Sequence, residues 1–223
     1  MPFIKKSDYL LSYLYPVTVE IASSNWNPVL EVELSHGKFL LNSENVNYSF
    51  GSLHTLFKRI FRKLKLNWSN IENVLILGFG TGSIAEIIRK YKPGCIIEGV
   101  EIDKKVIELG KKYFNTDSLK NVIIHCAAAD IFLKDCKNKY DLIVIDVYLD
   151  VNVPEELEKE QFLILVRNAL RIGGVVVFNK FINSKATKDR IKPLKELYDR
   201  IFHNAELMTI MTSGKIFIAR RQN

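Results

Sequence analysis

The sequence predicts an α/β protein with a Rossmann-like, doubly wound, mostly parallel sheet that closes with a C-terminal antiparallel hairpin. Three observations lead to this prediction. Short apolar runs alternate with amphipathic segments across residues 73–202, as they do in βα units around a parallel sheet. A glycine-rich turn at 78–82 follows the first apolar run. Two strand-like runs flank a turn sequence at 213–214, which is typical of a hairpin.

The composition indicates a soluble globular protein. The chain has 223 residues, of which 48% are hydrophobic and 26% are charged, and both values are ordinary for a folded domain. It has no apolar run long enough for a transmembrane helix and no signal-peptide pattern, so we expect a cytoplasmic protein without a membrane span. We divide it into a small β-rich extension, residues 1–50, and a catalytic domain, residues 51–223.

The cysteines and histidines indicate no metal site. Cys95, Cys126 and Cys136 are scattered, and the four histidines stand singly. Neither set has the spacing of a zinc site or of a disulfide framework. We therefore expect buried thiols in a reducing compartment and no bound metal.

The N-terminal extension begins with tyrosines and leucines and continues with strands. Residues 9–15 are those of a short helix or of a contact between two copies of the chain, so a homodimer is one expectation. Runs rich in β-branched residues at 17–21, 29–34 and 38–41 predict a small antiparallel unit. A unit of so few strands is too small to be stable alone.

An amphipathic helix is predicted at about residues 51–66. Between 53 and 66 its apolar residues recur at the spacing of one helix face, and basic residues occupy the opposite face. The formal net charge of +7 is concentrated here and around residues 185–195. Two interpretations of helix 53–66 stay open: a solvated basic face, which we favour, or a surface that binds nucleic acid or an anionic membrane.

Residues 73–103 predict a nucleoside-binding half-site. A buried strand at 74–77 leads into the glycine turn, where the backbone can approach a ligand closely. A helix at 84–90 follows, and its N-terminus faces that ligand. The next strand, at 95–100, ends in Glu101, and an acid at that place can accept both hydroxyls of a ribose.

The glycine spacing favours S-adenosylmethionine over a dinucleotide. The turn reads G-x-G-x-G, whereas a dinucleotide fingerprint has its third glycine one residue later. S-adenosylmethionine has no pyrophosphate group for the turn to bind, so the turn can be tighter. An NAD-dependent oxidoreductase is the weaker alternative. The expected cofactor contacts are Gly78, Phe79, Gly80, Gly82, Glu101 and Ile102.

The rest of the chain continues the alternation. Helices are expected at 103–114, 154–170 and 187–202, and strands at 121–126, 140–146, 175–178, 207–212 and 215–220. Gly173 and Gly174 are expected to end the second of these helices. Ligands of an open parallel sheet gather at the carboxyl ends of its strands, so the acids at those ends are candidate site residues.

Three acids besides Glu101 lie at or just past strand ends: Asp103, Asp130 and Asp146. Asp103 directly precedes a helix and is explained equally well as an N-cap. Asp130 follows three alanines that leave room for a flat ring, so its carboxylate can accept a hydrogen bond from the adenine amino group. A helix cap is the other explanation of Asp130.

Asp146 is the strongest candidate for a catalytic group. It ends an apolar run, and burial beside apolar neighbours would raise its pKa toward a useful range. A carboxylate there can orient or deprotonate an attacking amine or hydroxyl. Asp150 in the same loop can assist, although a helix-capping role also explains it. Tyr148 between them can wall the acceptor pocket.

The order of these motifs resembles the spermidine synthase family. The residues that carry the resemblance are 74–82, 99–103, 129–130 and 140–146, within a similar region of roughly 30–180. The resemblance implies that decarboxylated S-adenosylmethionine gives its aminopropyl group to putrescine or a related amine.

The resemblance also implies roles for single residues. Glu101 would bind the ribose, Asp130 the adenine amine, and Asp146 would act as the base on the attacking amine.

Departures from the family pattern lead us to expect methyl transfer from S-adenosylmethionine to a small molecule. Leu40 replaces a glutamine of the β unit, no acid follows Tyr48 directly, and Asp150 is displaced by one position. A diammonium substrate needs a carboxylate at each end. Aminopropyl transfer is the alternative, and a non-catalytic module that binds a nucleoside or nucleic acid is a third possibility.

Overall fold

A four-stranded antiparallel sheet and a seven-stranded mixed sheet form the protein. The computed structural model describes residues 4–44, 47–49, 51–149, 152–210 and 214–223. The smaller sheet follows a short helix, and its strands lie in chain order. These elements are α1 (Lys6–Leu11), β1 (Val17–Ala22), β2 (Leu30–Ser35), β3 (Lys38–Ser43) and β4 (Asn47–Ser49). The N-terminal β unit that the sequence predicts is confirmed.

The larger sheet alternates with helices. Its elements and those around it are α2 (Ser52–Leu64), β5 (Asn73–Leu77), α3 (Ser83–Tyr91), β6 (Ile96–Glu101), α4 (Lys104–Phe114), β7 (Val122–Cys126), α5 (Ala129–Asp135), β8 (Tyr140–Ile145), α6 (Glu160–Ala169), β9 (Leu170–Phe181), α7 (Lys185–Asp189), α8 (Ile191–Phe202), β10 (Glu206–Ile210) and β11 (Gly214–Arg220). The strand order is β10-β11-β9-β8-β5-β6-β7. Strands β5 to β9 run parallel, and β11 joins antiparallel to β9. The predicted doubly wound sheet with a terminal hairpin is confirmed.

The boundary between α6 and β9 differs from the prediction. A 3-10 turn (Glu155–Glu158) follows Pro154, so α6 starts only at Glu160. The helix ends at Ala169 because Leu170 already takes an extended conformation. Gly173 and Gly174 therefore lie inside β9, where they exchange backbone hydrogen bonds with Arg221.

Apolar side chains of the parallel strands alternate between two layers. Leu75 and Leu77 pack with α5, α6 and α8 on one face, whereas Val74 and Ile76 pack with α2 and α3 on the other. All four side chains are inaccessible to solvent. Because both faces are covered, each strand is a continuous apolar run, as expected for parallel strands.

Asp103 joins the smaller sheet to the larger one. Its Oδ1 accepts the N–H of Lys105 and caps α4. Its Oδ2 accepts hydrogen bonds from Ser24 Oγ at 2.5 Å and Asn27 Nδ2 at 2.7 Å, in the loop between β1 and β2. Apolar residues of β2 and β3 pack beside this contact on Val106 and other α4 side chains. The expected helix cap is present, and it also anchors the β unit.

Large apolar side chains remain exposed at the N-terminal end. Leu10, Leu14 and Ile21 are 70%, 81% and 69% exposed. Self-association of two chains would cover them and stays a prediction. Of the helices in the described residues, none combines the length and apolar character that crossing a bilayer requires.

We predict that Asp103→Ala lowers the free energy of unfolding by about 2–3 kcal/mol, because it removes a helix cap and two charge-assisted hydrogen bonds. Urea denaturation followed by circular dichroism measures the change. Asp117→Ala is the control, since Asp117 is exposed and forms a 3.5 Å ion pair with Lys111 at the surface. Equal stability of the two variants would contradict the anchoring role.

Candidate active site

The candidate site lies where the winding of the large sheet reverses. β5 pairs with β6 on one side and with β8 on the other, all three parallel. The helices that follow β5 and β8 therefore lie on opposite faces, and a crevice opens at the carboxyl ends of these strands. The sheet brings the glycine turn, Glu101 and Asp146 to this crevice.

Gly78 lets the ends of β5 and β8 come together. Its φ is +83°, and a Cβ at this position would lie 2.2 Å from the carbonyl oxygen of Asp146. The Asp146 N–H donates to Leu77 O at 2.8 Å. Any side chain at residue 78 would therefore push Asp146 away from the crevice.

Glu101 is buried and holds the glycine turn. It is 4% exposed, and its two carboxylate oxygens accept hydrogen bonds from Gly80 N at 2.9 Å and from Asp103 N at 3.1 Å. Burial raises the pKa of Glu101, although these backbone donors oppose the rise. Each oxygen has a further lone pair, so the carboxylate can still accept from a ligand hydroxyl.

Phe79 lies within the glycine turn, and Ile102 directly follows Glu101 in the chain. The Phe79 ring is buried against Gly99, where a Cβ would lie 2.2 Å from the ring. The Phe79 N–H donates to Val100 O, and its carbonyl accepts from Gly82 N. Ile102 is half-buried, and its carbonyl accepts the Cys126 thiol at 3.8 Å. Contacts of Phe79 and Ile102 with a cofactor stay predictions.

Asp130 lies in the first turn of α5, just after β7. It forms an ion pair with Lys134 at 3.1 Å, and both side chains are partly exposed. The adenine contact expected of Asp130 stays a prediction. Asp103 faces the N-terminal β unit instead, as described above.

Asp146 combines partial exposure with a perturbed pKa. Its Oδ1 accepts a hydrogen bond from Asn179 Nδ2 at 2.9 Å. Burial of the carboxyl group raises its pKa to about 7; the Asn179 hydrogen bond opposes the rise, and the negative charge of Glu101 adds to it. The group therefore titrates near neutral pH, where a general acid or base is most effective.

Tyr148 fastens the loop after β8 to the end of β9. Its hydroxyl donates to Asn179 O at 2.8 Å and accepts from Phe181 N at 3.0 Å. Burial raises the pKa of this phenol well above its usual range, and the charge of Asp146 adds to the rise, so it stays protonated. Asp150, the expected assisting acid, lies outside the described residues.

Asn179 is a site residue that the sequence analysis missed. It is 5% exposed and stands in β9 beside Asp146, because Phe178 pairs with Ile145 in the sheet. The available signal was a polar pair, Asn179 and Lys180, at the end of an apolar run. Within the described residues, no group of three His, Cys, Asp or Glu side chains is placed to hold a metal ion.

Comparison with known sequences finds a matching family model and similar curated proteins. The model of the spermine/spermidine synthase domain matches residues 59–214, which confirms the family resemblance. A probable polyamine aminopropyl transferase of Bifidobacterium longum is 32% identical over 140 residues, covering 63% of this chain and 31% of that protein. A polyamine aminopropyltransferase of Alkaliphilus metalliredigens is 34% identical over 144 residues, covering 58% of this chain and 51% of that protein. The matches thus span only a third to a half of these relatives' lengths.

Solved structures share the fold. The crystal structure of spermidine synthase from Thermotoga maritima has a TM-score of 0.71 at 16% identity, covering 92% of this chain and 73% of that one. A probable spermidine synthase from Corynebacterium glutamicum has a TM-score of 0.73 at 17% identity, with coverages of 92% and 79%. Human methyltransferase-like protein 13 has a TM-score of 0.64 at 20% identity, with coverages of 78% and 83%.

The expectation of methyl transfer is wrong. The family match and the named relatives indicate aminopropyl transfer instead. The expectation relied on counting acids at fixed sequence positions. A carboxylate's place in a pocket depends on the three-dimensional course of the loops, and Asp150 itself lies outside the described residues.

The raised pKa of Asp146 predicts a pH-dependent effect of Asp146→Asn on stability. Unfolding restores an ordinary aspartate pKa, so ionising the folded group costs stability as pH rises from about 4 to about 7. Asp146→Asn has no group to ionise at this position. Its free energy of unfolding, relative to that of the unmodified chain, should therefore rise over this range by on the order of 3 kcal/mol. Urea titrations at several pH values measure it, with Asp117→Asn as the control. An advantage that shrinks with rising pH would contradict the raised pKa.

Proposed function

Because the chain belongs to the spermine/spermidine synthase family, we propose that it transfers the aminopropyl group of decarboxylated S-adenosylmethionine to a polyamine such as putrescine. The names of the relatives support the reaction class. The observation that carries the proposal is Asp146, a carboxylate with a pKa of about 7 at the switch point of the sheet. The donor is a substrate that the reaction consumes.

The glycine turn and Glu101 fit the donor. Gly80 and Gly82 take positive φ angles and carry no Cβ, so the backbone can approach the donor closely. We assign the ribose hydroxyls to Glu101, as the buried acid at the end of β6. Asp130 is proposed to accept a hydrogen bond from the adenine amine.

The charge of the crevice supports the decarboxylated donor. Glu101 and Asp146 are close enough for the charge of one to raise the pKa of the other. A donor with a sulfonium and an ammonium group relieves this repulsion between carboxylates. Intact S-adenosylmethionine adds a carboxylate of its own, which would restore part of the repulsion.

Asp146 is proposed to act as the general base. The amine nitrogen attacks the aminopropyl methylene carbon that is bonded to the sulfonium sulfur. A C–N bond forms, and the bond between this carbon and sulfur breaks with its electron pair going to sulfur. The excess proton on nitrogen passes to the ionised Asp146, and methylthioadenosine leaves. A cation bound beside Asp146 favours its ionised form, so substrate binding itself prepares the base.

The loop after β8 is proposed to form the acceptor pocket. Tyr148 holds this loop against the end of β9 through its hydroxyl, and its ring is proposed to form one wall. Asp150 follows Tyr148 in the loop and is proposed to assist Asp146. A cytoplasmic location and self-association remain expectations for this enzyme.

An activity assay tests the proposal directly. The chain, incubated with decarboxylated S-adenosylmethionine and putrescine, should form an aminopropylated amine and methylthioadenosine, both detectable by mass spectrometry. Asp146→Asn should lower kcat by about 100-fold or more, since general bases contribute about 10²–10⁴, while the donor still binds through the glycine turn and Glu101, with reduced affinity because one negative charge is lost. Full activity of this variant, or a methylated amine formed from intact S-adenosylmethionine, would contradict the proposal.

Asn179 is proposed to be a positioning residue for Asp146. Asn179→Ala removes the hydrogen bond that lowers the pKa of Asp146. The acidic limb of the plot of kcat/KM against pH should therefore shift to higher pH by about one unit. Asn179→Gln keeps a donor and should restore part of this shift. A drop in kcat with an unmoved acidic limb would indicate a merely structural role.

A further inference from the structure

Helix α2 presents a cationic face that the proposed reaction does not use. The opposite face is buried in the core through Phe57, Ile60 and Phe61. The exposed cations are Lys58, Arg59, Arg62, Lys63 and Lys65. Across the described part of the chain, none of these five side chains forms an ion pair with a carboxylate. We call these five residues the α2 cationic face.

Helices α3, α4 and α8 each contain a carboxylate that pairs with a cation of the same helix, whereas α2 contains none. Lys90 pairs with Glu86 on α3, Lys105 with Glu108 on α4, and Lys195 with Asp199 on α8. No Asp or Glu occurs in α2. An ordinary solvated helix face would mix the two signs in the way that these three helices do.

The spacing within the α2 cationic face is unfavourable for the helix alone. Lys58 and Arg62 are four residues apart, as are Arg59 and Lys63, and like charges at this spacing repel on a helix surface. The dipole at the helix C-terminus favours the cations of the last turn. It does not reach Lys58 and Arg59, and no carboxylate of α2 offsets their repulsion from Arg62 and Lys63.

An aromatic pair packs against α2 through Phe61. Trp68 stacks on Tyr91 with ring centroids 4.6 Å apart and planes 11° apart. Phe61 of α2 packs edge-on against both rings, with centroid distances of 5.5 Å and 6.4 Å. Tyr91 is 39% exposed, so the stack reaches the protein surface.

We propose that the α2 cationic face and Tyr91 bind single-stranded RNA. Phosphates would pair with the five cations, and a base would stack on the exposed tyrosine, as in other proteins that bind single strands without sequence preference. An anionic membrane fits this face less well. A helix that lies on a bilayer turns its apolar face into the lipid, and the apolar face of α2 is already buried in the core.

Fluorescence anisotropy with a labelled single-stranded RNA of mixed sequence tests the proposal. With five phosphate contacts, the logarithm of affinity should fall against the logarithm of salt concentration with a slope of about −3.5. Replacing Lys58, Arg59, Arg62 and Lys63 by Glu should weaken binding by at least about 30-fold. Replacing the same four residues by Gln removes the charges without reversing them and should weaken binding to a smaller extent. Tyr91→Ala should weaken binding about tenfold.

The matched control changes the same amount of charge elsewhere. It replaces Lys137, Lys185, Lys188 and Lys192, all exposed, by Glu, and it should bind the RNA with nearly wild-type affinity. All variants should keep the aminopropyl transfer activity of the unmodified chain, and this activity would show that they fold. An equal loss of affinity in the control, or binding to phosphatidylserine vesicles but not to RNA, would overturn the proposal.

Discussion

The close approach of Gly78 to the Asp146 carbonyl is the constraint on which the site depends. With no Cβ in the way, the ends of β5 and β8 stay paired up to Leu77 and Asp146. This pairing places Asp146 near Glu101, which β6 brings to the same crevice. The two carboxyl groups are then close enough for the charge of Glu101 to raise the pKa of Asp146.

Two acids with raised pKa values at one crevice cost stability in the absence of a cation. The raised pKa values of Glu101 and Asp146 express that cost, because each charged form is less favourable than in water. The proposed donor, which has a sulfonium and an ammonium group, would offset it. The same repulsion that destabilises the protein alone therefore contributes to binding a doubly cationic donor, and Asn179 keeps one of the two acids in a defined orientation.

Local patterns in the sequence predicted much of the fold and the meeting of the glycine turn with Glu101. The glycine turn and Glu101 belong to one βαβ unit, so their spacing in sequence determines their arrangement in space. Asn179 could not be found in this way, because it reaches Asp146 only through the pairing of Ile145 with Phe178 across two strands. The cap at Asp103 was predictable from its neighbours, whereas its contacts with Ser24 and Asn27 join distant parts of the chain. The prediction of methyl transfer failed because it relied on acids at fixed sequence positions, and such positions do not determine where a carboxylate lies in the folded protein.

The measurement that tests this account most directly is a calorimetric titration of the chain with decarboxylated and, separately, intact S-adenosylmethionine. The crevice carries acids on both of its sides, so we predict tighter binding of the decarboxylated form, by about tenfold or more, corresponding to about 1.4 kcal/mol. The preference should weaken in Asp146→Asn, which removes one of the two negative charges. Equal or tighter binding of the intact form would contradict the account, and failure of both to bind would remove the donor site from the glycine turn and Glu101.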